Sequence, residues 1–223
     1  YIYYKKKYYL SEQLRLMNIK NLKIGARGSQ LSLAQTKIFI NHICNFYDSL
    51  DHSEIIVKTF KTTGDIEQNT RLDKLGGKGL FAKEIEIKIM NEEVDIGLHS
   101  MKDMPATLNN HFSIACWLPR ADPHDILITR SGQTLDELKP GSIIGTSSIR
   151  RRSQVLQLRK DLKIRALRGN IDTRIKKLHD GFYDAIILSK AGLDRLELND
   201  LKSSVLKYEF FLPAACQGTI GAE

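Results

Sequence analysis

SIIGTSSIRRRSQVLQL, residues 142–158, is a strand, a cap and a helix in a row. The apolar SIIG reads as a strand and Thr146, Ser147 and Ser148 supply hydroxyl caps. The spacing of Val155, Leu156 and Leu158 predicts a helix that begins at the serines. Arg150, Arg151 and Arg152 then fall in its first turn, where the macrodipole already places partial positive charge. Each cation there costs about 0.3–1 kcal/mol unless an anion sits on it. The helix start is therefore expected to hold an anion.

Outward from this stretch, strand and helix signals alternate. NLKIG, EIIVKTF and VDIGLHS read as strands in the first half, with LSLAQTKIFINHI and LFAKEIEIKIM as helices. DILIT, LKIRAL and DAIILS read as strands in the second half, with IDTRIKKLHDG as a further helix. Such alternation predicts an α/β fold with mainly parallel strands. KIGARGSQLSLAQ echoes IIGTSSIRRRSQ, and VDIGLHSMK echoes YDAIILSKAG, which suggests two similarly built lobes. The crossing between them is expected at LPRADPHD, Leu118 to Asp125, where Pro119 and Pro123 interrupt regular structure. Ligands of open α/β sheets bind beyond the carboxyl ends of strands, so facing lobes would enclose a cleft lined by helix N-termini and arginines.

With 34 Lys and Arg against 26 Asp and Glu, the 223-residue chain carries +8 at pH 7. That balance favours an acidic partner without choosing among nucleic acid, membrane surface and small polyanion. Cys44, Cys116 and Cys216 are odd in number and far apart, which indicates neither a disulfide framework nor a zinc site. No apolar run approaches the ~18 residues needed to span a bilayer, so no membrane partner is expected. A nucleic-acid partner is disfavoured too, because the basic residues recur at strand ends instead of forming an exterior stripe with interleaved aromatics. Residues 1–19, with the tract YIYYKKKYYL, read as a low-complexity arm outside the fold.

Several side chains recur at strand-to-helix turns. Arg27 and Ser29 follow the first strand, Arg168 ends another, and Arg174 lies in the first turn of the next helix. A lone loop arginine is as often a solvated side chain as a ligand; the repeated placement, together with Arg150 and Arg151, argues for carboxylates or phosphates, which the arginine fork suits. GGKGLF, Gly76 to Phe81, lacks the Ser or Thr and the glycine spacing of a phosphate loop. It reads as the end of a cationic loop, a lid bearing Lys74 and Lys78. HSMKDMP, His99 to Pro105, brings Ser100, Lys102 and Asp103 to a strand end. Asp103 is conspicuous as a carboxylate among cations, suited to a salt bridge with Lys102, to a helix cap, or to stabilising a cationic intermediate on a bound anionic substrate. His99 reads as a packed strand residue, and no metal-ligand spacing is present.

Taken in order, GARGSQLSLAQ, TTGD, LDKLGGKGLFAKE, HSMKDMP, GTSSIRRR, RALRGNIDTR, YDAIILSKAGLDRL and LPAACQG closely resemble the hydroxymethylbilane synthase, or porphobilinogen deaminase, family. The resemblance covers nearly everything from Leu22 to Glu223. It implies a transferase of tetrapyrrole and haem biosynthesis that condenses four porphobilinogen molecules head to tail into hydroxymethylbilane, releasing ammonia. It also implies two lobes resembling type II periplasmic binding proteins around a cleft. On that basis lobe 1 is expected over 20–118 plus 219–223 and lobe 2 over 119–218, with hinges near 118–125 and 212–218.

By the same resemblance, Asp103 is the catalytic carboxylate. Arg27, Ser29, Lys102, Thr146, Ser148, Arg150, Arg151, Arg168 and Arg174 hold substrate and cofactor carboxylates. Asp65, Lys74 and Lys78 belong to the active-site loop, and Ser100 and Gln217 are further candidates. The family's cofactor is a dipyrromethane joined to a cysteine in a third, α+β domain, and that domain is expected to lie outside the 223 residues. Cys216 stands where the family pattern has glycine and is not that anchor. The 223 residues alone are accordingly expected to lack sustained turnover. Porphobilinogen and the growing pyrrole chain are the expected partners, the family being typically monomeric and cytoplasmic or plastid-located. The rival reading is a non-catalytic two-lobe protein that binds small anions or carboxylates.

Overall fold

The computed structural model describes residues 21–47, 50–61, 79 and 82–223. In the first of two sheets, β1 (Leu22–Arg27), β2 (Ile55–Phe60) and β3 (Ile96–Ser100) run parallel, with β1 between the other two. β4 (Cys116–Trp117) forms one edge. In the second sheet, β6 (Ile143–Gly145), β7 (Lys163–Arg165) and β8 (Ala185–Ser189) run parallel, with β6 central. β5 (Asp125–Thr129) lies antiparallel to β8 and to β9 (Ser203–Leu206). β10 (Ile220–Ala222) returns to the first sheet, antiparallel to both β3 and β4. The strand orders are β2-β1-β3-β10-β4 and β7-β6-β8-β5-β9.

These orders superimpose strand for strand, so the echo in the sequence reflects two lobes of one plan. β1 corresponds to β6 and β3 to β8, the pairs whose sequences match. The expectation of mainly parallel strands holds for direction, since four of the five strands of each sheet run the same way. It misses the one reversed strand of each sheet, β10 in the first and β5 in the second, because at these strands the chain enters from the other lobe against the parallel set.

Helix α1 (Gln30–Phe46) follows β1, α2 (Lys83–Met90) precedes β3, α3 (Ile149–Leu158) links β6 to β7, α4 (Ile171–His179) links β7 to β8, and α5 (Lys190–Arg195) follows β8. DILIT and AIILS read as continuous apolar runs because both faces of the second sheet are covered. Leu127 and Ile187 pack on one face with Ile144, Val155 and Phe211. Ile126, Ile128, Ile186 and Leu188 pack on the other with Leu178 and Leu193. In the first sheet Ile24, Leu98, Ile220 and Ala222 meet Phe39 of α1. Its opposite face has Gly25 and Gly97 beneath Ile85 of α2, where the missing side chains let the helix approach.

Two chain crossings join the lobes and lie side by side. Arg120 Nε donates to the Gln217 carbonyl (2.8 Å), Ala121 N–H to the Gly218 carbonyl (3.1 Å) and Gln217 Nε2 to the Pro123 carbonyl (2.7 Å). Gly218 has φ +92°, and a side chain there would collide with the Ala121 carbonyl. Nearby Cys216 adopts the left-handed conformation at φ 58°, where glycine is the residue without strain. Among the described residues, no helix is long and apolar enough to cross a membrane. The 1–19 arm and the loop residues Asp65, Lys74 and Lys78 lie outside the described residues.

Candidate functional site

Each candidate sits where an apolar strand ends and a polar turn begins. β1 ends at Arg27, whose backbone N–H donates to Ser32 Oγ (3.1 Å), and Ser29 caps α1 by accepting from Ser32 N–H (3.3 Å). β6 opens into Thr146, whose Oγ1 accepts from Ser148 N–H (3.2 Å), and Ser148 caps α3 by accepting from Arg151 N–H (3.3 Å). β3 runs into a 3-10 turn, Met101–Asp103, that carries Lys102 and Asp103. Gly79, at φ +95°, donates its N–H to the Asp103 carbonyl (3.1 Å), so the start of the α2 region is docked on that turn.

The two lobes bring these groups within electrostatic reach of one another. Burial is the largest cause that lowers the Lys102 amine to about 8; Asp103 and Asp125 oppose it, and Arg151 and Arg174 reinforce it. The Arg174 guanidinium is lowered to about 10, first by burial and then by Arg151, Arg168 and Arg27, against Asp103. It stays charged at neutral pH, in a neighbourhood with more cations than anions. Arg174 Nε also donates to the Gly169 carbonyl (2.6 Å), which fixes the head at the start of α4. Among the described residues, no hydrogen bond or ion pair holds the Asp103 carboxylate, and its side chain is partly exposed.

The arginine pair of α3 departs from expectation, because the anion it seeks is already present as Asp125. Arg151 is buried and donates Nε (3.0 Å) and Nη2 (2.6 Å) to Asp125 Oδ1, and Nη1 to the Ile187 carbonyl (2.8 Å). Arg150 Nη2 lies 2.7 Å from Asp125 Oδ2, and its Nη1 donates to the Leu212 carbonyl. Burial alone would push the Asp125 carboxyl up. The charges of Arg151 and Arg150 and the hydrogen bonds of Arg151 and Gln217 outweigh it and hold the carboxyl below the usual range. Asp103 is thus not the lone acid facing the arginines. Arg152 is exposed. Sequence reasoning passed over Asp125, although an acid opening the otherwise apolar DILIT at a lobe crossing was the available signal.

Two further candidates are engaged by other side chains and by the lobe crossings. Ser100 exchanges hydrogen bonds with Gln35 of α1 (2.8 and 3.2 Å), because alternation along β3 turns it to the α1 face. Gln217 is buried and holds the lobe crossings together, with Nε2 on the Pro123 carbonyl and on Asp125 Oδ1 (3.0 Å). His99 is a packed strand residue, 3.1 Å from buried Glu223 Oε2. Among the described residues, no group of three or more His, Cys, Asp or Glu could hold a metal ion.

Residues 22–223 match the family model described as porphobilinogen deaminase, dipyromethane cofactor binding domain. The chain belongs to the porphobilinogen deaminase family. A porphobilinogen deaminase of Brevibacillus brevis is 45% identical over 203 residues, which are 90% of this chain and 64% of that protein. One of Alkaliphilus metalliredigens is 44% identical over 205 residues, 92% of this chain and 64% of the relative. The chain therefore spans about two thirds of the length of these relatives. The Bordetella pertussis BvgS periplasmic VFT2 domain aligns with 95% of this chain and 83% of its own at a TM-score of 0.50 and 11% identity, a likeness of fold alone. The fold is a two-lobed α/β architecture like that of this domain.

The dipyrromethane of the family description can be tested against these residues. Lys102 and Arg174 are held below their ordinary values by burial and by neighbouring cations. A group bearing several carboxylates would relieve that crowding, so the cleft fits it.

Proposed function

We propose that this chain forms the cleft lobes of a porphobilinogen deaminase, a transferase that joins four porphobilinogen molecules head to tail into hydroxymethylbilane and releases ammonia. The observation that carries the reading is Asp103, a carboxylate with no hydrogen bond or ion pair among the described residues, presented just beyond β3 among Lys102, Arg151 and Arg174. Lobe 1 would comprise residues 20–118 and 219–223, and lobe 2 residues 119–218.

In this reading Arg27, Lys102, Arg150, Arg168 and Arg174 bind acetate and propionate side chains from both walls. Asp125 pairs with Arg151 and, at its other oxygen, with Arg150, while Ser29, Thr146 and Ser148 shape the two helix starts. When bound, the dipyrromethane supplies the primer to which pyrroles are added. Loss of ammonia breaks the bond between the aminomethyl carbon and nitrogen, and the electron pair leaves with the nitrogen. The positive charge left on the pyrrole of the substrate is stabilised by the Asp103 carboxylate.

Changing Asp103 to Asn in the full-length protein should lower porphobilinogen turnover by about 100-fold or more while leaving the far-ultraviolet circular dichroism unchanged. Wild-type turnover in that variant would remove Asp103 from the chemistry. Calorimetry separates the non-catalytic alternative, since a general anion binder would show no preference for porphobilinogen over simple carboxylates.

A further inference from the structure

Asp125 treats its two arginines differently. Its Oδ1 receives both the Nε and the Nη2 of Arg151 and, from the second lobe crossing, Gln217 Nε2. With Nη1 on the Ile187 carbonyl, the Arg151 head is fixed on three sides and only 7% of the residue is exposed. Oδ2, equally buried, faces Arg150 at 2.7 Å yet receives no hydrogen bond of proper geometry. Arg150 keeps a quarter of its side chain in solvent. Its remaining hold is the Leu212 carbonyl, whose residue Gln154 also grips at both N–H and C=O.

We infer that Asp125 is a positioning residue that acts as the resident counter-anion of the α3 helix start, holding Arg151 permanently and Arg150 only until an incoming anion replaces it. The ion pair at Oδ2 then competes with the ligand for Arg150, while the forked contact at Oδ1 keeps Arg151 in place as the cation against which Asp125 stays ionised. Selectivity follows, because a weak or badly shaped anion does not displace the resident carboxylate. This rests on the part of the proposed function that places anions at the α3 helix start; it does not depend on pyrrole chemistry.

The experiment uses inorganic sulfate as the probe, titrated by calorimetry at constant ionic strength. Asp125→Asn should bind sulfate about tenfold more tightly than wild type, since the competitor is removed while the amide oxygen still accepts from Arg151. In an Arg150→Gln background the same substitution should change sulfate affinity less than about twofold, because the competition runs through Arg150. A merely structural role predicts the opposite sign, weaker binding together with loss of fold. Unchanged or weaker sulfate binding by folded Asp125→Asn, or an equal gain in the Arg150→Gln background, overturns the inference. Should Asp125→Asn fail to fold, arginine side-chain nuclear magnetic resonance on the wild type decides: sulfate must move the Arg150 Nε–H signal and leave that of Arg151. Movement of Arg151 alone or of both overturns it. Absence of any sulfate binding by the wild type overturns the anion-site reading as well, which separates the two failures.

Discussion

Lys102 carries the most pH-sensitive charge of the site. Its amine is lowered from 10.5 to about 8, by burial first. Anion affinity should be full below that value and fall as pH rises through about 8, as the amine loses its proton. Stability should respond in the opposite direction. The unfolded chain binds the proton more tightly than the folded one, so this group's contribution to stability rises with pH between about 8 and 10.5. Binding of an anionic ligand near pH 8 should draw a proton onto Lys102, so calorimetric heats should depend on the ionisation enthalpy of the buffer. Lys102→Met should remove that dependence, and its persistence would place the titration elsewhere. At this scale the placement of much of the candidate site was readable, because Arg27, Lys102, Asp103 and Arg168 lie at or just beyond strand ends and Arg174 lies in the first turn of α4, all places that strand and helix patterns reveal. Asp125 was not, since its partners Arg151 and Gln217 lie 26 and 92 residues away. The orientations of Ser100 and Gln217 were hidden for the same reason: a face or a hinge contact exists only once partners are in place.

Among the elements, β3 joins the site to the core of its lobe. Gly97 lies beneath α2, where an added side chain would stand 2.5 Å from Ile85 Cγ2 and 2.9 Å from His99 Nε2. Ile85 is fully buried and cannot retreat, so Gly97→Ala should destabilise the protein by about 1–3 kcal/mol through overpacking. Chemical denaturation would measure this, and a wild-type midpoint would show that α2 has room to move. The Gly79 contact with the Asp103 carbonyl gives the same substitution a route to the turn that carries Lys102 and Asp103. Long elements such as α1 and α3, and apolar strands such as β1, β3 and β8, were legible from their patterns. β4, β9, β10 and α5 were not, being two to six residues long. Ile220–Ala222 was expected in lobe 1 but not as a strand, because only β3 and β4, more than 100 residues earlier, make it one.

Over the whole molecule, two sheets of one plan exchange the chain twice, and each crossing delivers an antiparallel strand to the opposite lobe. The repeated sequence pattern disclosed the duplication but not the exchange, which depends on pairing between distant segments. The exchange sets a timetable for synthesis. All strands of the second sheet lie between residues 125 and 206, whereas the first sheet needs β10 between β3 and β4. At about 5–20 residues per second, roughly 5–20 s separate the addition of Leu118 from that of Ile220. Throughout that interval β3 presents an unpaired edge, the kind of surface that invites association between chains. A fragment of residues 119–218 should therefore unfold cooperatively in urea, while residues 21–118 alone should not; the reverse result would refute this order. On the ribosome, the lobe made first is the lobe finished last.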